Sequence, residues 1–446
     1  EGLPWNWETF PQYLDALEAR AWDVDVAAYV PHSPLRVHVM GQRGLDREPA
    51  TADDLARMAA LVEEGMAAGA LGFATSRTLV HRTGTGDQIP SFDADSAELE
   101  AMAEAVGRSG RGVVQMVPNL GSPLWRDELD MLVRLGERSG RPVTFSLAQS
   151  HEAPEVWRAI LDRVAHANAT LGTRLAPQVY PRPMGVVAGL SASSHPFCLC
   201  PSYQAIETLP LAERVAAMRD PALRARLLSE TPADPANPLF RLVRNFDRIY
   251  PMAAIPDYEP QVSVAALAHL YGMTPEALAY DLLLEDEGRA LLYVPFSNYA
   301  DANLDAVRAM LADDASVIGL GDGGAHYGLI CDASYGTTLL CHWTRDRESD
   351  RLPLPWAIKR LTADTADLMG LADRGRIAPG LKADINLIDH AALTLHRPRA
   401  VHDLPGGGRR LVQDADGYRM TILSGVVVQE DGEATGALPG RLVRGS

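Results

Sequence analysis

The feature that most constrains this chain is an alternation of short apolar runs with longer stretches of helical period. The runs, rich in β-branched and aliphatic residues, are LRVHVM (35–40), LGFATS (71–76), GVVQMV (112–117), PVTFSL (142–147), RLAPQV (174–179), ALLYVPF (290–296) and SVIGLGD (316–322). Between the first five, the connecting segments carry apolar residues at helical spacing, as in LARMAALVEEGMAAGA and ELDMLVRLGERSG. Parallel strands need a crossover, usually a helix, so this alternation predicts an α/β fold on a parallel sheet. Its persistence along the chain predicts a closed (β/α) barrel rather than an open doubly wound sheet. No G-x-G-x-x-G opens a helix after the first run, which argues against a dinucleotide-binding fold.

The alternation breaks between about 183 and 288, a stretch rich in proline and charge with helical pieces such as LPLAERVAAMRDPALRARLLSE and a helix start at Thr274 with Pro275 in its first turn. An insertion of that length between barrel strands is expected to form a lid or subdomain over the active face. After about residue 376 the pattern becomes short strands and glycine turns, as in GYRMTILSGVVVQEDGEATGALPG. The expected domains are therefore a barrel over 1–375, with the lid-like insertion at 183–288, and a small β domain over 376–446.

With 446 residues the chain can bury a large core, and its formal charge of −17 argues against nucleic acid or an anionic membrane as partner, since both need a basic face. A small molecule is the expected partner. The four cysteines are too few for a disulfide framework and lack zinc-cluster spacing, which fits a reducing compartment such as the cytoplasm. No apolar run reaches the roughly 18 residues that a membrane span needs. The chain begins EGLPWNW without methionine, so the lack of a signal peptide carries no weight.

In a parallel barrel the C-terminal strand ends face one cavity, so polar residues there are candidates for chemistry. Asp322 ends the last run in ASVIGLGDGGAHYG, flanked by glycines that permit a sharp turn. It reads as a metal ligand or general base, and equally as an aspartate capping its own turn. His326 follows four residues later and either folds back into the cavity or belongs to the surface loop. Other strand-end candidates are Ser76 with Arg77, Gln115, Ser146 with Gln149 and His151, and Gln178 with Tyr180 and Arg182. Two arginines at a cavity mouth suit a carboxylate-bearing substrate through bidentate hydrogen bonds, though Arg77 and Arg182 also fit ion pairs with neighbouring helices. His38, inside an alternating run, reads as structural. Cys198 and Cys200 read as small buried residues rather than a thiol metal site.

The segments GLPWNWETFPQYLDAL (2–17), GALGFATSRTLVHR (69–82), IGLGDGGAH (318–326), GLADRGRIAPGLKADINLID (370–389) and TGALPGRLVRG (435–445) resemble the amidohydrolase superfamily, in its N-acyl-D-amino-acid deacylase branch. That resemblance implies a TIM-like (β/α)8 barrel beside a small β-sandwich domain completed by the C-terminus. It implies a metal-dependent hydrolase in which an aspartate ending the last barrel strand takes a proton from metal-bound water, and Asp322 matches that position. The implied cofactor is a divalent metal, one zinc, with Asp322 as ligand. Of the strand-end and loop candidates, Arg77, His151, Arg182 and His326 are the expected substrate contacts.

Three departures from the family pattern qualify the expectation. The His-x-His pair of the first barrel strand is not in this chain, so that strand is expected to be cleaved, outside the sequence, or supplied as a separate segment. The family's histidines at the fifth and sixth strand ends fall on Gln115, Met116 or Val117 and on Leu147, with His151 four residues late. Neither Lys359 nor Lys382 falls at a mid-barrel strand end, so a carboxylated-lysine bridge between two metals is not expected. A reduced site of three protein ligands and a water is still a competent zinc centre. The competing readings are a lyase or isomerase on the same barrel, and a catalytically silent subunit or binding protein; a homo-oligomer is compatible with each.

Overall fold

The computed structural model describes residues 5–121, 123–324 and 326–445. Its centre is a six-stranded parallel sheet in the order β1 (Val30–Pro31), β2 (Gly72–Ser76), β3 (Val113–Val117), β4 (Val143–Leu147), β5 (Leu175–Val179) and β9 (Val317–Ile318). Residues 72 to 76 of β2 align with 113 to 117 of β3, and residues 143 to 147 of β4 with 175 to 179 of β5, so these strands end at a common edge. Each connection from β1 to β5 contains an amphipathic helix that covers the sheet, such as Ala52–Ala68, Ser96–Arg108, Trp125–Ser139 and Val156–Thr170. The core between helices and strands is built from Met58, Val62, Phe73, Leu99, Met116, Leu132, Phe145 and Val164. Among the described residues β1 and β9 do not pair with each other, so the sheet is not closed.

Two of the expected strands fall elsewhere. LRVHVM lies in the helix His32–Met40, where Leu35, Arg36, Val39 and Met40 are buried and His38 is exposed. That burial repeats at i, i+1, i+4 and i+5, the face of a helix. The alternating leucine and valines mimicked a strand, while the short β1 sits upstream and pairs with β2 through Val30 and Phe73. ALLYVPF does form a strand, β8 (Leu291–Ser297), but it pairs antiparallel with β6 (Met184–Ala188) and β7 (Tyr250–Met252) in a separate sheet. An unbroken apolar run marks a strand buried on both faces and carries no information about the direction of its neighbours.

The stretch between β5 and β8 is largely helical and packs around Val186, Phe197, Tyr203, Met218, Phe240 and Tyr280. One of them, Pro275–Leu283, starts where expected: the Thr274 side chain accepts from the backbone N–H of Ala277, and Pro275 fills the first position. The last part of the chain, which begins with β10 (Ile385–Ile388) and β11 (Thr394–Leu395), is strand and turn, with a four-stranded antiparallel sheet and two strand pairs among the described residues. β12 (Arg399–Leu404) and β13 (Gly408–Val412) form one of these pairs. The C-terminal segment returns to the N-terminal part of the chain, with bridges joining Trp22 to Gly440 and Val26 to Leu442.

Candidate functional site

After Ile318 the chain leaves the sheet through Gly319, Leu320 and Gly321. Leu320 has φ 69°, and a Cβ on Gly321 would lie 2.2 Å from the ring of Tyr335, so only glycine fits there. This turn brings Asp322 to an exposed position beyond the strand end. The segment that follows is tied down on two sides. The backbone N–H groups of Val187 and Ser193 donate to the carbonyls of Leu329 and Gly328 at 2.7 and 3.0 Å, and that of Leu411 in β13 donates to Tyr327 at 2.7 Å. The loop bearing Asp322 is thus held between the stretch after β5 and the C-terminal strands.

The groups near Asp322 come from two strand ends. Ser76, the last residue of β2, hydrogen-bonds Nδ1 of His81 at 2.7 Å. The His81 ring stands 6.0 Å from that of His326, which has φ 53° on the loop after β9. Burial holds the His81 imidazole below its ordinary value and His326 adds to this, while Asp322 opposes it. Asp322, His81 and His326 therefore share one electrostatic environment. Three strands separate β2 from β9 in the sheet, so their loops meet only because the sheet curls. His81 was not among the sequence candidates. It lies five residues past the end of β2 in LVHR, so a search of the loops beyond the strand ends, rather than of the strand ends alone, would have found it.

The other candidates are distributed differently. Arg77 is bound to Glu128 at 3.0 Å and also donates to the carbonyl of Ala94. His151 is partly buried, its Nε2 has no partner among the described residues, and burial followed by Arg248 pushes its pKa down to about 4. Arg182 is 1% exposed. Its guanidinium donates to Tyr180 Oη at 2.8 Å, Cys331 O at 2.5 Å, Asp332 Oδ1 at 3.1 Å and Ser334 Oγ at 3.3 Å, and it stacks on Tyr258 at 4.0 Å. Those bonds fasten the far end of the Asp322 loop rather than open toward solvent. Gln149 is buried and caps the turn after β8 through Asn298, Ala300 and Asp301. Gln178 donates to Thr144 across β4 and β5. Burial raises both Cys198 and Cys200, as for inert thiols.

A catalytic zinc centre needs three protein ligands and an open position. Among the described residues no group of three or more His, Cys, Asp or Glu side chains is arranged to hold a metal ion. The set of metal ligands expected around Asp322 is therefore not completed by the residues described. Lys359 and Lys382 are both engaged on carboxylates, Asp364 and Asp25 respectively, well outside this site. No described helix is long and apolar enough to cross a membrane.

Comparison with known proteins places this geometry in context. Residues 1–429 match the amidohydrolase family. An uncharacterised protein of Mycobacterium tuberculosis is 26% identical over 97% of this chain and 72% of its own length. The D-aminoacylase of Alcaligenes xylosoxydans xylosoxydans is 24% identical over 99% of this chain and 75% of its own. Among solved structures, a D-aminoacylase superposes with a TM-score of 0.59 at 22% identity, covering 98% of this chain and 75% of that one. The N-acyl-D-glutamate deacylase of Bordetella bronchiseptica, solved with zinc and a phosphonate mimic of the tetrahedral intermediate, gives 0.57 at 20% identity with the same coverage.

Proposed function

The chain belongs to the amidohydrolase family, whose members are metal-dependent hydrolases, and from that we propose that it hydrolyses an amide or related C–N bond in a small molecule, nominally an N-acyl-D-amino acid, with Asp322 as general base. The observation that supports this most is the placement of Asp322 just past the end of β9, on the loop whose His326 ring stands 6.0 Å from that of His81 in the loop after β2. In this reading the Asp322 carboxylate takes a proton from the attacking water as its oxygen bonds the acyl carbon. It then delivers that proton to the nitrogen as the C–N bond breaks, so one group serves as base and acid in turn. His326, His151 and Arg77 face the substrate. Arg182 serves indirectly, by holding residues 331–334 of the Asp322 loop.

The finer architecture belongs to the same proposal. The parallel strands form part of a (β/α)8 barrel over 1–375, the 183–288 stretch acts as its lid, and residues 376–446 contribute to a small β-sandwich. The cofactor in this reading is a divalent ion, one zinc. A catalytically silent subunit is the second reading, favoured by the incomplete set of metal-binding side chains among the described residues.

Turnover of a panel of N-acyl-D-amino acids by the wild type and by Asp322→Asn separates these readings. General-base loss is expected to lower turnover by about 10²–10⁴-fold with an unchanged melting temperature. Equal rates in the two proteins would remove Asp322 from the mechanism. Product formed without oxygen from solvent water would point to a lyase or isomerase. An inactive wild type across the panel would favour the silent subunit.

A further inference from the structure

Arg409 and Arg410 stand side by side in β13, and the pleat turns neighbouring side chains to opposite faces. Arg410 grips both carboxylate oxygens of Asp403, each at 2.7 Å. Arg409 instead donates to Ser193 Oγ at 3.1 Å, and no described carboxylate lies within ion-pair distance of it. Arg214, in the helix Leu211–Met218, likewise has no carboxylate partner among the described residues and donates to the Tyr203 hydroxyl at 2.7 Å.

These two half-buried arginines stand at the ends of one chain of contacts, since Arg409 meets Ser193, two residues before His195, and His195 packs on the Tyr203 ring whose hydroxyl accepts from Arg214. Burial lowers Arg409 from its ordinary value and Arg214 lowers it further, while Tyr203 and the exposed Glu207 act in the opposite direction. Three buried polar atoms in the same neighbourhood lack partners among the described residues: Arg214 Nε, His195 Nε2 and Ser194 Oγ. His195 packs edge-on against the Tyr203 ring at 4.2 Å. Two like charges held together beside unsatisfied polar atoms are costly unless a counter-charge joins them.

We propose that Arg214, Arg409 and Ser193 form a binding site for a small doubly charged anion, a dicarboxylate or a phosphate, between the helix Leu211–Met218 and β13. Each guanidinium can present a planar fork to such an anion, and Ser193 is exposed at its edge. Ser193 also joins the site to the Asp322 loop: its N–H donates to Gly328 O, and a Cβ on Gly328 would lie 2.2 Å from its Oγ. An anion here would tie together the stretch after β5, the C-terminal strands and, through Ser193, the Asp322 loop. The binding is independent of the hydrolase reading, because it uses none of the groups assigned to that chemistry.

Isothermal titration calorimetry with succinate, inorganic phosphate and neutral succinamide tests the site on the wild type, R214Q, R409Q and R410Q. Succinate or phosphate is expected to bind saturably and succinamide not to bind. R214Q and R409Q should each weaken binding about tenfold or more, while R410Q, on the opposite face of the strand, leaves it within about twofold. Which anion binds identifies the source of the ligand. If R409Q does not fold, R409K keeps the charge without the fork and is expected to weaken binding by a few-fold. No saturable binding of either anion to the wild type, wild-type affinity in R214Q or in R409Q, or a loss in R410Q as large as in those two would overturn the site. Retained binding in D322N is expected, so failure of the hydrolase reading leaves this result intact.

Discussion

The imidazole of His151 is held neutral by its surroundings. Burial comes first, Arg248 adds to it, and Asp301 opposes both, leaving a pKa of about 4 against the ordinary 6.5. The unfolded chain takes up a proton near 6.5 that the folded chain refuses until about 4, so stability is full above that window and falls as pH drops through it. Melting temperatures followed from pH 7 to 4 are expected to decline less steeply in His151→Asn than in the wild type. Parallel slopes would show that His151 titrates normally in the fold. At this scale Asp322 was legible, since a strand running out at an acid between glycines is a local pattern. Arg182 was not: one letter does not tell whether a guanidinium meets a substrate or, as here, a buried carbonyl and the Asp332 carboxylate.

The helix His32–Met40 is fastened to the helix Ser96–Arg108 by one carboxylate. Glu98 accepts from Arg36 Nη1 at 2.6 Å and meets His32 Nε2 at 2.7 Å, while His32 Nδ1 contacts Thr75 Oγ1 of β2 at 2.8 Å. Glu98, Arg36 and His32 are each 1% exposed. Glu98→Gln leaves the Arg36 charge buried without its partner, and a broken buried pair costs about 3–5 kcal/mol. Urea denaturation should register a loss of that size, and a change below about 1 kcal/mol would mean that water or another acceptor replaces Glu98. The helical stretches between β1 and β5 were readable because their apolar period matches their buried face. The helix His32–Met40 was misread because its leucine and valines also alternate, and only packing against Phe73 and Glu98 selects the helical period.

Closure of the whole molecule depends on contacts remote in sequence. Asp25 Oδ2 accepts from Lys382 at 2.5 Å and Arg374 at 2.8 Å, and Oδ1 accepts from the backbone N–H of Arg441 at 3.0 Å. Burial alone would raise the Asp25 carboxyl, but these three donors outweigh it and hold the group below its ordinary 3.8. Its contribution is therefore present above pH 3.8 and is lost as pH falls through the folded value. In Asp25→Asn at neutral pH, the amides of Val26, Gly440 and Val443 that join the two ends of the chain are expected to exchange faster with deuterium than in the wild type. Unchanged exchange would assign the closure to the backbone bonds alone.

What the sequence by itself determined is whatever repeats locally: the alternation that makes an α/β parallel sheet, the start of the helix at Thr274, the turn at Gly321, and the position of Asp322 beyond a strand end. Such features depend on periods of two or 3.6 residues and on single backbone conformations, which neighbouring letters encode. Tertiary structure alone decided that β8 joins an antiparallel sheet, that His81 reaches His326 across the curl of the parallel one, and that Arg182 is enclosed while Arg409 has no carboxylate partner among the described residues. Each of these depends on groups far apart in the chain being brought within a few ångströms, and no local pattern records which distant partner will arrive.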